Sequence, residues 1–223
     1  MARPRTRSKK PRATTAPRSD AARRERILGA FSEHAKRSGI RAVVMGELAT
    51  ELRMSASTLY AEFANKEELV AAMVDRWCTD LATHDAIIDD ERVPILERFL
   101  VWTDAWSERV VQYSPSFWSD LARDYPRQWA LLQDHLGERK AKGAAILAPH
   151  LRSDVVPGVA FALLELVYAH AHDPRLADRL GIARRDAVRS QLRIWARGAL
   201  NPPEIPRPRR ARSAREGGRP RQE

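Results

Sequence analysis

Apolar residues in this chain recur again and again at the spacing of one face of a helix. Leu69, Met73, Trp77 and Leu81 fall every fourth residue, Phe99, Trp102, Trp106 and Val110 at intervals of three or four, and Val188, Leu192 and Trp195 repeat the pattern near the end. Residues three and four apart share a helix face, whereas a half-buried strand needs strict alternation. No stretch sustains alternation, and only 10 of the 223 residues are glycine. The chain therefore reads as all-α, with about nine helices and no repeat period.

Capping and breaking residues divide the pattern. Asp20 can cap a first helix with Ile27, Leu28, Phe31 and Ala35 inside, ending near Ser38–Gly39. Met45, Leu48, Ala49 and Leu52 give a second, short helix one apolar face. Ser55 caps a third, where Met54 can staple against Leu59 and Phe63 continues the buried side. Asn65 and Glu68 have the spacing of a capping box for a long fourth helix. Beyond residue 90 proline punctuates: helices run from about Pro94, to Tyr125–Pro126, to Pro149, from Ser153–Pro157 to Ala169, and from about Ala183 to Leu200.

Three short helices within about 45 residues, the third entered through a tight turn, form a helix-turn-helix unit. The expected organisation is a basic disordered arm over 1–19, a helix-turn-helix domain over 20–66, a second helical domain over 67–200 and a basic disordered tail over 201–223. Charge follows those boundaries. The net charge is +10; residues 1–19 hold seven Lys/Arg and no acid, residues 201–223 hold seven Arg and three Glu, and 20–200 holds 25 bases and 26 acids. A near-neutral body with two basic, Pro-rich ends suits a polyanion.

Other classes find less support. The single cysteine, Cys78, allows no internal disulfide and fits a reducing compartment. The basic N-terminus runs into Pro, Thr and Ser rather than an apolar signal segment, and the longest apolar run, 155–169, is short for a bilayer and contains Glu165. A soluble cytoplasmic protein is expected, without cofactor or metal. No nucleophile–base pair, phosphate loop, paired carboxylates or metal spacing suggests an enzyme.

The segments "RERILGAF" (24–31), Gly39, "ELATELRMSASTLY" (47–60), Phe63 and "NKEEL" (65–69) resemble the tetracycline-repressor (TetR) family of bacterial transcriptional regulators over roughly 20–80. The likeness implies a DNA-reading third helix, a homodimer and a ligand pocket in the later helices. It also implies that an effector moves the fourth helix and changes the spacing of the two reading helices. The family's usual basic residues on the reading helix are replaced here by Ala56, Ala61 and Glu62, and its turn glycine by Arg53.

What remains to meet DNA on the motif is Gly46, Ser55, Ser57, Thr58, Tyr60 and Lys66. Hydroxyls and a tyrosine can hydrogen-bond phosphates but supply no bidentate arginine–guanine pair. Lys66, at a helix N-terminus, can hold one phosphate together with backbone N–H groups, and Glu62 reads as a solvated side chain. Arg3, Arg5, Arg7, Lys9, Lys10 and Arg12 of the arm then supply the missing charge, entering an adjacent minor groove.

For the second domain, the all-round apolar helix near 155–169 needs cover, and pairing it and 183–200 with a second copy gives a two-fold four-helix interface. A pseudo-palindromic double-stranded DNA operator follows from that symmetry. Trp77, Trp102, Trp106, Trp118 and Trp129, with His135 as a polar contact, are candidates to line a pocket for an unknown small-molecule effector, or simply to fill core. The resulting reading is a dimeric, effector-modulated, sequence-specific regulator, a repressor by family habit. The alternative is a non-specific architectural DNA binder relying on its basic ends.

Overall fold

The computed structural model describes residues 17–170, 173 and 175–201; the side chains of 17–19 and 176–178 are outside that description. The order is α1 (Pro17–Ser38), α2 (Met45–Glu51), α3 (Ala56–Glu62), α4 (Lys66–Ala82), α5 (Ala86–Asp89), α6 (Ile95–Val111), α7 (Pro115–Asp124), α8 (Pro126–Leu147), a 3-10 turn (Ala148–His150), α9 (Pro157–His170), α10 (Arg175–Leu180) and α11 (Arg184–Ala199). Nine of these helices have seven or more residues, and α5 and α10 are shorter. Among the described residues there is no strand, only one antiparallel bridge between Leu151 and Leu200.

Local chemistry explains most boundaries. Ser55 Oγ accepts the Thr58 N–H at 3.1 Å, and Asn65 Oδ1 accepts the Glu68 N–H at 2.9 Å. The Glu68 carboxylate reaches back to the Ala64 N–H at 2.9 Å, one residue earlier than an ideal capping box. α1 departs from expectation: Pro17 opens it, as proline's fixed φ allows, so Asp20 lies in the first turn and pairs with Arg23 at 3.2 Å instead of capping. At the α2 start Val44 offers no side-chain cap.

Ile27, Phe31, Leu48, Leu59 and Phe63 bury the shared core of α1–α3, and α4 carries that core onward through Leu69, Met73, Trp77 and Leu81. In the second body α11 packs on α6 and α9. Trp195 fixes this arrangement: its ring lies 5.0 Å from Phe99, and its indole N–H donates to the Ala160 carbonyl at 2.7 Å. Gly143 lets α8 approach α6, since a Cβ there would stand 2.7 Å from the Trp102 ring.

The two bodies meet where α1 ends. The chain turns through Gly39 at φ 91°, a conformation that suits glycine, and a Cβ at that position would lie 2.7 Å from Asp120 Oδ2 on α7. The buried Asp120 carboxylate accepts the Arg41 N–H at 2.9 Å and an Arg123 N–H at 3.0 Å. The Arg41 guanidinium grips Asp124 in two bonds of 2.6 and 3.0 Å, and the Ser114 N–H donates to the Lys36 carbonyl at 2.8 Å. Arg41, and then Arg123, hold the Asp124 carboxyl down at about 2.

Candidate nucleic-acid interface and core cavities

α2 and α3 form the helix-turn-helix, and its turn passes through Arg53 at φ 54°. A non-glycine residue seldom adopts that conformation, which explains why glycine is usual at this point and marks a locally strained turn here. On the outer side of α3, Ser55 Oγ lies 2.8 Å from both Ser57 Oγ and Thr58 Oγ1. The three hydroxyls thus form a small preset cluster at the helix N-terminus, where exposed N–H groups favour an anion. Tyr60 projects beyond them, 47% exposed, while Leu59 on the opposite face is fully buried. Gly46 is exposed in the first turn of α2, with open space where a side chain would stand.

Lys66, expected to hold a phosphate, also has a partner within the protein. Its ammonium donates to the Ile40 carbonyl at 3.1 Å, and partial burial lowers its pKa while Asp120 offsets part of that effect. It ties the start of α4 to the end of α1. Glu62 is likewise no freely solvated residue: its carboxylate accepts Arg23 Nη1 at 2.8 Å and is only 13% exposed. The neighbouring carbonyl of Glu62 accepts Arg24, whose guanidinium stacks 3.9 Å over Phe63. Arg26 donates to the Leu52 carbonyl at 3.3 Å.

Three arginines of α1 therefore hold the C-terminal ends of α2 and α3, where carbonyls lack helical partners and a cation is favourable. Sequence reasoning missed them. The signal was the run "RRER" at 23–26, one turn before the buried Ile27. The six arm cations, Arg3, Arg5, Arg7, Lys9, Lys10 and Arg12, lie outside the described residues, as does the tail beyond Asn201.

The effector candidates separate into two places. Trp102 and Trp106 line a cavity of ≈ 20 Å³ with Leu136, Arg139 and Tyr168, whereas Trp77 and Trp118 line another of ≈ 10 Å³ with Phe117 and Leu132. Trp129 and His135 line neither, although His135 buries an Nε2 that has no hydrogen-bond partner. At the first cavity, Asp85 Oδ1 accepts both the Trp102 indole N–H and Arg139 Nε, each at 2.7 Å. The Arg139 guanidinium stacks 4.2 Å over the Trp102 ring. Among the described residues no cluster of potential metal ligands occurs, and no helix is long and apolar enough to cross a membrane.

The outer face of α9 and α11 has the opposite character. Val156, Val159, Leu163, Leu166 and Ile194 are 64, 58, 52, 57 and 73% exposed, and only Ala160 and Leu164 of α9 are buried. A groove of ≈ 490 Å³ runs between the two helices over this surface.

The comparisons agree with this geometry. Residues 27–73 match the family model for bacterial regulatory proteins of the tetR family. No curated protein matches the sequence. Among solved structures, the ketosteroid transcriptional regulator KstR2 of Mycobacterium tuberculosis is similar at 19% identity and TM-score 0.59, over 81% of this chain and 96% of that one. A TetR transcriptional regulator from Chloroflexus aurantiacus is similar at 14% identity and TM-score 0.63, over 83% and 100%. A TetR-family regulator from Marinobacter aquaeolei is similar at 18% identity and TM-score 0.63, over 80% and 91%. At such identities the structural likeness speaks for the fold, and the family model for the DNA-binding unit.

Proposed function

We propose that this chain, a TetR-family transcriptional regulator, binds a pseudo-palindromic operator as a homodimer and is released from it, as a repressor, by a small-molecule effector. The observation that carries the reading is one polypeptide joining a helix-turn-helix to an uncovered aliphatic face. The exposed valine and leucine of α9, with Ile194 of α11, favour burial against another apolar surface, at roughly 25 cal/mol per Å². A second copy supplies that surface by two-fold symmetry, and symmetry in turn sets the two α3 helices about 34–36 Å, or a multiple of it, apart along DNA.

On DNA, α3 gives register through Ser55, Ser57, Thr58 and Tyr60, and the arm gives charge through Arg3, Arg5, Arg7, Lys9, Lys10 and Arg12. Neutralising about 4–6 phosphates through the arm makes affinity steeply salt-dependent. The aromatic cavities support an apolar or planar effector entering between α6 and α8. Neither cavity has room for more than a water or so, so an effector binds by selecting an arrangement in which these helices stand further apart. A coupling of about 1–3 kcal/mol then suffices for regulation.

The segregation of positive charge into the two ends supports one other reading, a DNA coat with little base readout. Selection of bound fragments from genomic DNA, followed by competition against bulk DNA, separates the two. A regulator enriches discrete sites by about 10³-fold or more; uniform recovery would overturn this proposal.

A further inference from the structure

A cleft separate from the Trp102–Trp106 cavity opens between α1, α4 and α6, with a volume of ≈ 60 Å³. Two of its lining side chains, Ser32 and Trp77, each bury a donor that has no hydrogen-bond partner: Ser32 Oγ and Trp77 Nε1. An indole N–H can only donate, so its missing partner must be an acceptor. Both residues are more than nine-tenths buried, where an unmatched polar group is costly.

Around these donors stand three cations, each paired with a carboxylate. Lys36, Arg76 and Arg109 line it, against the single carboxylate of Asp80, which is already engaged by Arg109 at 3.1 Å. Lys36 and Arg76 pair outward with Glu33 and Glu25, whose side chains are 64 and 60% exposed. Such solvent-facing pairs contribute little, so an anion in the cleft competes with them at small cost. The Tyr113 hydroxyl, whose pKa burial pushes well above the ordinary phenol value, stays protonated.

We propose that this cleft binds a small oxyanion, a free phosphate or a short carboxylate, held by the Ser32 and Trp77 donors and by Arg76, Arg109 and Lys36. The volume excludes the body of a larger metabolite. Because the lining comes from α1 of the DNA-binding unit and from α4 and α6 behind it, the bound anion fixes the angle between the two bodies. It is thus a second, anion-responsive input beside the apolar effector, and its binding can be read without DNA.

The test uses the full chain at constant ionic strength, titrated with inorganic phosphate or with acetate and compared with chloride. Calorimetry and the Trp77 indole N–H resonance, assigned by its disappearance in Trp77→Phe, are followed together. Saturable heat with a shifted Trp77 resonance is expected, and a five-fold or greater loss of affinity in both Trp77→Phe and Ser32→Ala, with helical content unchanged. Saturation by phosphate alone assigns a phosphate ligand, and by acetate alone a carboxylate. An unmoved Trp77 resonance, or undiminished affinity in both variants, would place the anion on the basic ends and overturn the site.

Discussion

Two helices of this protein push side chains into solvent, and they do so with opposite chemistry. α3 presents Ser55, Ser57 and Tyr60, hydroxyls on a helix that buries Leu59, whereas α9 presents Val159, Leu163 and Leu166, with Val156 just before it. The first surface is already satisfied by water and gains only by exchanging water for a polar partner of matching geometry. The second is unfavourable in water and gains by being covered at all. If α3 reads DNA as proposed, its weak charge requires another source of affinity, and in the proposed dimer the pairing of two copies is the first.

The sharpest way to break that comparison is to place a charge on the aliphatic face. Leu163→Asp should turn dimers into monomers in sedimentation equilibrium and weaken operator binding by about 100-fold or more, since an unpaired buried carboxylate costs about 3–5 kcal/mol. A wild-type chain that sediments as a monomer would remove the contrast altogether. Next in size, removing residues 1–19 should lower affinity at low salt by about 10–100-fold and flatten the log–log salt slope by about 4–5. An unchanged slope would return the whole electrostatic burden to the helices.

Tyr60→Ala should cost the operator about ten-fold in affinity, near 1–2 kcal/mol, while the dimer persists. Glu62→Gln is a finer test. A carboxylate facing phosphate would make this substitution strengthen DNA binding several-fold, but the Arg23 clamp predicts a change within about two-fold and a stability loss of about 1 kcal/mol in thermal melts. The smallest effect concerns pH. Asp124 is held at about 2 by Arg41 and Arg123, so its contribution is present above the ordinary carboxylate range and is lost only as pH falls toward 2. In a side-chain NMR titration, Arg41→Gln should move that midpoint upward.

The sequence was most legible where a signal is local. The caps at Ser55 and Asn65 and the i, i+4 face of α4 each depend on residues within one or two turns, and the structure carries all of them. Legibility was lower where a side chain's partner is far along the chain. The bond from the Lys66 ammonium to Ile40, 26 residues away, was not readable in the sequence, and Glu62 looks solvated until Arg23 arrives from 39 residues away. Tryptophan was ambiguous for a related reason. Its spacing places it inside a helix face but says nothing of which cavity it meets, so one expected pocket resolved into two small ones with Trp129 and His135 in neither. The short α5 and α10 escaped because four and six residues do not establish a period.

The grip of α1 on its neighbours has a mechanical corollary. At one end it holds the terminal carbonyls of α2 and α3 through Arg26 and Arg24; at the other it is wedged against α7 by the Gly39–Asp120 contact. With so little slack at either end, α1 works as a stiff crank. In the proposed DNA complex, a tilt of α7 would therefore reach α3 through α1 as well as along α4.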